Sequence, residues 1–171
     1  MTSEDYVVYG DEYLARLSNT TQLLGDGSPE QEAQVISYVS WANQELLNIL
    51  AKWYLPLISN LPNPAPYNQE AVGLGKTQSL GLLDKLEEHI GQNRFLVGDS
   101  LTLADIFVAI IISRGFEWVL DAEWREAHPS IMRHFSTIAE MPEVKKVVPH
   151  FILIDKETAN ADPYATPGGQ Q

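Results

Sequence analysis

The spacing of apolar residues along this chain is typical of a helical protein. Over two long stretches, 29–57 and 68–90, apolar residues recur three or four positions apart, which places them on one face of a helix. A third stretch, Ile106–Ile112, is apolar throughout, which indicates a helix buried on all sides. No stretch shows the sustained alternation typical of a half-buried strand. We therefore predict an all-α protein of roughly five to seven helices.

The start of the buried helix is clearly marked. Thr102 is the predicted N-cap, and Asp105 lies where its carboxylate can bond back to the N-cap N–H in a capping box. Leu101 and Ile106 are placed to form the hydrophobic staple, and Gly98 supplies the turn before them. Because the capping box accounts for a carboxylate beside so apolar a stretch, we interpret Asp105 as a folding residue. This helix is expected to end near Ser113.

Other boundaries follow from the same kind of signal. Ser28 and Pro29 open the first long helix as N-cap and N1, with Gln31 as the expected capping-box partner. A proline-rich connector, 61–66, separates the two long helices. We divide the chain into a helix and linker at 1–27, a helical domain at 28–150 and a tail at 151–171. Shorter helices are expected at 116–125, 130–139 and 142–148, and the tail is expected to be loose or laid on the surface.

Composition narrows the possible functions. The chain has 171 residues, enough for one domain, and its net charge of −12 disfavours binding to nucleic acids or anionic membranes. It has no cysteine, no apolar run long enough to span a membrane and no visible secretory signal, so we expect a cytoplasmic protein. The histidines lack metal-ligand spacing, and no nucleotide-binding loop or serine-nucleophile motif occurs.

Several motifs together resemble a known family. Thr102-Leu103-Ala104-Asp105, with Gly98 before it, resembles the capping box in the C-terminal helical domain of glutathione transferases. Within that family, Ser28–Val35, Gly81–Asp84 and Phe95–Asp99 look most like the transferase-like domain of the elongation factor 1 gamma subunit, fungal type. The resemblance covers roughly residues 5–148 and implies a transferase-type helical bundle without a complete thioredoxin-like domain.

The resemblance also implies where a cofactor would bind. In this family the thioredoxin-like domain carries the glutathione site, and only the last helix of that domain has room in this sequence. Glu4 and Asp5 fall where the family has an acidic residue followed by Ser, which binds the glutamyl end of glutathione. The match is partial, since Asp5 replaces the Ser. The family's catalytic residue has no counterpart here.

The remaining candidates lie on two helices that, in this family, flank the hydrophobic electrophile. Tyr38, Trp41 and Glu45 occupy successive turns of one helix, and Arg114 and Trp118 lie one turn apart beyond the buried stretch. Aromatic walls with a few polar groups suit a small-molecule pocket. The alternatives are that the aromatic residues are core residues, and that Arg114 offsets a helix dipole rather than binding a carboxylate or an enolate-like intermediate.

Two functions from different classes are expected. The first is a transferase-like enzyme acting on a hydrophobic electrophile, by glutathione addition or glutathione-assisted cis–trans isomerisation, in natural-product metabolism. The second is a non-catalytic interaction module of the gamma-subunit type. A third hypothesis, that the chain is a piece of a longer protein, would transfer the first function to that protein. The family's pairing mode predicts a homodimer formed through residues 29–59 and 68–91.

Overall fold

The computed structural model describes residues 23–165, and these form a bundle of α-helices with no strand among them. This confirms the predicted helical class. The helices are α1 (Pro29–Trp41), α2 (Leu47–Tyr54), α3 (Gln69–Gln92), α4 (Leu103–Trp118), α5 (Ala122–Ala127), α6 (Pro129–Ala139) and α7 (Pro142–Val147). No helix in this range is long and apolar enough to cross a membrane.

The first long helix is interrupted at Ala42–Leu46, where its apolar spacing predicts a regular α-helix. A π-helical turn, Ala42–Leu46, joins α1 to α2, and a 3-10 turn, Leu55–Leu57, follows at Pro56. A π turn rearranges the main-chain hydrogen bonds of a helix. Here the side-chain amide of Asn48 donates to the carbonyl of Gln44 at 2.6 Å. The turn therefore changes the direction of side chains beyond residue 41 relative to a regular α-helix.

The helix starts use the capping residues expected of them, with one correction. Ser28 caps α1 by accepting the N–H of Gln31 at 3.3 Å, as predicted. Gln31, however, does not close a capping box: its side-chain oxygen accepts the N–H of Asp26 at 3.0 Å. The N–H of Ser28 donates instead to the Asp26 carboxylate at 2.9 Å. The glutamine therefore fastens the preceding loop, rather than the N-cap residue, to the first turn of α1.

Helix α4 is the centre of the core, and it is longer than predicted. Val108, Ile112 and Phe116 on this helix are fully or almost fully buried. The helix continues to Trp118 instead of ending near Ser113, and α5 begins only at Ala122, so the predicted helix over 116–125 is wrong in its start. The N–H groups of Val119 and Leu120 both donate to the carbonyl of Gly115 at 2.8 Å, which ends the helix there.

Helices α2 and α3 approach closely at a glycine. A Cβ added at Gly75 would lie 3.0 Å from the carbonyl carbon of Lys52 and the backbone nitrogen of Trp53. Both are main-chain atoms, which cannot rotate away as a side chain can. The missing side chain at residue 75 therefore sets the distance between the two helices and lets Trp53, 2% exposed, pack between them and the core.

The C-terminal segment 151–165, called the strap below, lies along the helical bundle. The N–H groups of Ile154 and Thr158 donate to carbonyls of Phe116 and Trp118 at 3.0 and 3.1 Å. Glu157 pairs with Lys76 of α3 at 2.6 Å. Of the two arrangements expected for the tail, the structure therefore shows the surface-bound one for residues up to 165.

Candidate functional site

Tyr38 on α1 is half-buried and takes part in a hydrogen-bonded chain. Its hydroxyl oxygen lies 3.2 Å from Nε2 of His89, and the same nitrogen lies 3.1 Å from the carbonyl oxygen of Leu96. A carbonyl only accepts, so Nε2 carries the hydrogen and donates toward both oxygens. The Tyr38 oxygen is then an acceptor in this pair. Its own O–H is left available to donate to another group.

The environment of Tyr38 keeps this phenol protonated. Burial raises the pKa of Tyr38, and the negative charge of Asp105 raises it further. Because an unperturbed tyrosine already titrates near pH ~10, Tyr38 is neutral at physiological pH. It is therefore suited to donating a hydrogen bond and not to acting as a base.

Trp41 and Glu45 line a shallow groove of about 450 Å³ on the outer side of α1 and the π turn. Tyr38 lies beside this groove and does not line it. The other lining residues of the groove are Ala33, Ile36, Ser37, Ser40 and Gln44. The ring of Tyr38 meets that of Trp41 edge to face, with centroids 6.2 Å apart. Trp41 therefore connects the groove to the Tyr38–His89 pair.

Arg114 and Trp118 lie one turn apart on α4 and have different surroundings. Arg114 is exposed and pairs with Glu117 at 2.5 Å. Arg114 lies before the last turn of α4, and that turn contains no basic residue. Because a cation interacts with the helix dipole only within the last turn, the position of Arg114 does not support the alternative that it offsets the dipole. The indole N–H of Trp118 is buried and has no hydrogen-bond partner within residues 23–165. Neither residue lines the groove of Trp41 and Glu45.

Asp105 forms the predicted capping box and three further contacts. It accepts the N–H and the hydroxyl of Thr102, the N–H of Leu96 and Nε2 of His134, all at 2.8 Å. His134 could not be predicted from the sequence, because this residue lies on α6, far from Asp105 in the chain, and no local pattern links the two. These contacts support the interpretation of Asp105 as a folding residue, because they also join the start of α4 to Leu96 and to α6.

The two predicted glutathione contacts, Glu4 and Asp5, lie outside the described residues. Within residues 23–165, no group of three acidic or histidine side chains is placed to hold a metal ion. His128 has a packing role instead: its ring stacks on Trp124 with centroids 3.8 Å apart.

Comparison with known proteins tests the resemblance. The family model described as "Glutathione S-transferase, C-terminal domain" matches residues 49–142. Glutathione S-transferase AN1595 of Emericella nidulans is 33% identical over 145 residues, which cover 85% of this chain and 53% of that protein. Glutathione S-transferase stcT of the same organism is 30% identical over 155 residues, or 91% of this chain and 70% of that protein.

A solved structure agrees with these sequence relatives. The GST-like domain of elongation factor 1-gamma from Saccharomyces cerevisiae superposes with a TM-score of 0.75 at 32% identity, covering 86% of this chain and 68% of that one. The chain spans about half the length of AN1595, 53%. The predicted resemblance to glutathione transferases and to the gamma subunit is thus confirmed, and the transferases matched here are fungal. The chain belongs to the family of glutathione S-transferase C-terminal domains.

Proposed function

We propose that this chain is a glutathione-transferase-like protein that acts on a hydrophobic small molecule, which its helices bind. The observation that carries the proposal is the meeting of the α1 groove with the Tyr38–His89 pair. At this point an aromatic wall, Trp41, adjoins a neutral phenol whose proton is free to donate. A few polar groups beside an aromatic wall are what a small-molecule site requires.

The residues have distinct roles in this proposal. Tyr38 donates a hydrogen bond to the electrophile's carbonyl, where negative charge develops as a thiolate adds to the conjugated carbon. Trp41 packs against the apolar part of the molecule, and Glu45 lines the same groove. Trp118 lies outside this groove, and we propose it as a separate apolar contact on α4. Arg114 has five N–H donors, so it can hold a carboxylate or enolate while keeping its bond to Glu117.

Glutathione supplies the thiol in either of two outcomes. In the first, the new C–S bond persists and a conjugate leaves. In the second, the adduct rotates about what was the double bond, the C–S bond breaks and the thiolate departs, giving cis–trans isomerisation with glutathione recycled. We place the protein in the cytoplasm and the isomerisation in natural-product metabolism. Glu4 and Asp5 are the proposed contacts for the glutamyl end of glutathione.

The proposal is tested by calorimetric titration of the chain with glutathione, followed by titration with a hydrophobic enone. We expect micromolar glutathione binding. Trp41→Ala should weaken enone binding about tenfold, because it removes the aromatic wall. Tyr164→Ala, which changes an exposed aromatic residue on the strap, is the matched control and should have no effect. An absence of glutathione binding at millimolar concentration, or equal effects of the two substitutions, contradicts the proposal.

The second candidate is a non-catalytic interaction module of the gamma-subunit type. It is favoured by the superposition on the GST-like domain of elongation factor 1-gamma. This function requires no thiol and no electrophile. The same titration separates the two candidates, because a module of this kind is expected to give no heat with either compound.

A further inference from the structure

The loop before α1 contains an aspartate followed by a glycine, Asp26 and Gly27. Both residues are exposed and lie in an irregular bend between Leu23 and the N-cap Ser28. Gly27 has a φ of +93°, and a Cβ added to it would meet no atom within 4 Å. No side chain at residue 27 therefore hinders the approach of the Asp26 carboxyl group to the main-chain nitrogen of Gly27.

The carboxylate of Asp26 is folded back onto the main chain that follows it. Its Oδ1 accepts the N–H of Ser28 at 2.9 Å, which is the hydrogen bond of an Asx turn. Because this bond spans the peptide group of Gly27, it brings the carboxyl carbon of Asp26 close to the nitrogen of Gly27. The N–H of Asp26 donates to the side chain of Gln31 at 3.0 Å, so the aspartate is held on both sides.

The other aspartates in residues 23–165 lack this combination. Asp84 and Asp105 lie within helices, where the backbone conformation keeps the next nitrogen away from the carboxyl carbon. Asp162 precedes a proline, which has no N–H. Each of the remaining three precedes a residue with a Cβ, which crowds the same approach: Asp99, Asp121 and Asp155.

We propose that Asp26 is a site of spontaneous modification, at which the peptide bond to Gly27 isomerises to isoaspartate. The Gly27 nitrogen bonds to the carboxyl carbon of Asp26, and the carboxyl OH and the nitrogen's hydrogen leave together as water. The product is a five-membered succinimide ring, which a second water opens at either carbonyl. Opening at the side-chain carbonyl restores aspartate, whereas opening at the main-chain carbonyl leaves the chain running through the side-chain carbon. The sum is an isomerisation that needs no cofactor.

The modification is slow, because the reacting form of the carboxyl group is scarce. Hydrogen bonding from the side chain and then the main chain of Ser28 lowers the pKa of Asp26. The neutral carboxyl group loses its OH more readily than the carboxylate loses an oxygen. Isoaspartate therefore accumulates with the age of the protein and not during its synthesis.

Isoaspartate at residue 26 loosens the start of α1. It adds one atom to the main chain before Gly27 and moves the carboxylate away from the N–H of Ser28, which then loses its acceptor. The neighbouring Gln31 contacts a second loop, since a Cβ added at Gly98 would lie 3.0 Å from its side-chain amide. The modification thus acts where the loops before α1 and α4 meet.

The test incubates the full chain in buffered H₂¹⁸O at physiological pH and temperature and follows each aspartate by peptide mapping and mass spectrometry. We expect isoaspartate at residue 26, with one ¹⁸O gained at each ring opening, to form several times faster than at the exposed Asp99. None should form in the same period at Asp84, which is 68% exposed but helical. The aged chain should unfold at a temperature about 2–4 °C lower, the shift expected when one hydrogen bond is lost.

Two variants separate the chemistry from general ageing. Asp26→Glu keeps the carboxylate but would have to close a six-membered ring, which is much slower, so its unfolding temperature should not change on ageing. Asp26→Asn should convert faster than the unsubstituted protein, because ammonia leaves the side-chain amide instead of water leaving the carboxyl group.

Several results would overturn the proposal. A synthetic peptide of residues 24–32 serves as the clock: no isoaspartate at residue 26 of the full chain by the time the peptide is half converted means that the fold holds the carboxyl group out of reach. The same conclusion follows if Asp26→Asn does not convert. Equal rates at Asp26 and Asp99 remove the advantage assigned to the Asx turn. An unchanged unfolding temperature in a chain that carries isoaspartate at residue 26 removes its effect on the start of α1.

Discussion

His134 Nε2 lies 2.8 Å from Asp105 Oδ1, and the two side chains are almost completely shielded from solvent, at 2% and 0% exposure. The same carboxylate also accepts the N–H groups of Leu96 and Thr102. The start of α4, the loop before it and helix α6 are therefore joined at one side chain. A buried carboxylate with this many donors is costly to remove, because each donor would lose its partner away from water.

Asp105→Ala is expected to lower the free energy of unfolding by about 3–5 kcal/mol, because it leaves the buried donors of Leu96, Thr102 and His134 without a partner and each such donor costs about 1–3 kcal/mol. A capping residue alone would cost about 0.5–2 kcal/mol. Urea unfolding followed by circular dichroism measures the difference. Asp84→Ala removes a carboxylate that is 68% exposed and should change stability by less than about 1 kcal/mol. A loss for Asp105→Ala within the range of a simple cap would contradict the role assigned to His134.

His134→Phe tests the pair from its other side. Since Asp105 keeps its bonds to Thr102 and Leu96, we expect a smaller loss of about 1–3 kcal/mol. Combined with Asp105→Ala in a double-mutant cycle, it should give a coupling of about 0.5–3 kcal/mol, whereas a cycle with the exposed His150→Phe should be additive. Additivity in both cycles would mean that the observed contact stabilises nothing.

The close approach of α2 and α3 predicts opposite effects for two glycines of the same helix. Gly75→Ala should destabilise the protein by about 1–3 kcal/mol, because its Cβ meets main-chain atoms of α2 at 3.0 Å. Gly81→Ala has no atom within 4 Å of the added Cβ and should stabilise by about 0.5–1 kcal/mol through the helix propensity of alanine. Thermal unfolding of both variants decides this; a stabilising Gly75→Ala would show that the helices can separate at little cost.

The raised pKa of Tyr38 makes stability depend on pH at the alkaline end. Burial, followed by the charge of Asp105, raises this pKa in the folded state above its value in the unfolded chain. The corresponding stability is therefore complete below pH ~10, where both states hold the phenol proton, and is lost as pH rises through the folded pKa. The free energy of unfolding, measured across this pH range, should fall less steeply with pH in Tyr38→Phe than in the unsubstituted protein. Tyr67→Phe is the control, and an identical pH profile for both variants would contradict the assignment.

The homodimer proposed for this chain would involve a groove between α2 and α3. Leu74, 59% exposed, lies in that groove with Ala51, Leu55 and Ala71. We expect light scattering to show a mass that rises with concentration toward twice that of one chain. Leu74→Glu should abolish the rise, because it places a charge in an apolar contact. Val147→Glu, at a position 81% exposed elsewhere, should not. A monomer at every concentration would remove the proposal.

The fold was largely predictable because its signals are local. These signals are the apolar spacing, the N-caps Ser28 and Thr102, and the turn at Gly98, which has a φ of +64°. Each of them determines the conformation of residues only a few positions away in the sequence. The π turn at Ala42–Leu46 was not predictable, since its residues are ordinary helix formers. The end of α4 was misplaced because Gly115 was not recognised as the acceptor of two N–H groups beyond it.

The candidate sites depend on contacts between distant segments, and these leave weaker traces in a sequence. Tyr38 was singled out as a substrate contact, but its link to His89 connects α1 with α3 and has no local signature. His134 had no motif at all. A cleft at α6 and α7 arises from the path of the strap. In the sequence, the polar residues of the tail, with Pro163, Pro167, Gly168 and Gly169 among them, indicated only an irregular segment.

The strap also has a consequence for synthesis of the protein. The hydroxyl of Tyr164 donates to the carbonyl of Ser59, 105 positions earlier, and the Asn160 amide donates to Gln69, 91 positions earlier. A ribosome adds about 5–20 residues per second. It therefore adds Asn160 and Tyr164 roughly 5–20 s after Gln69 and Ser59, whose carbonyls accept their hydrogen bonds. The nascent helices must wait through that interval with the surface around Ser59 and Gln69 uncovered, while the carbonyl of Trp118 waits about 2–8 s for Thr158, 40 positions later. A chaperone that recognises apolar surface can therefore bind this part of the chain during those seconds, before the strap covers it.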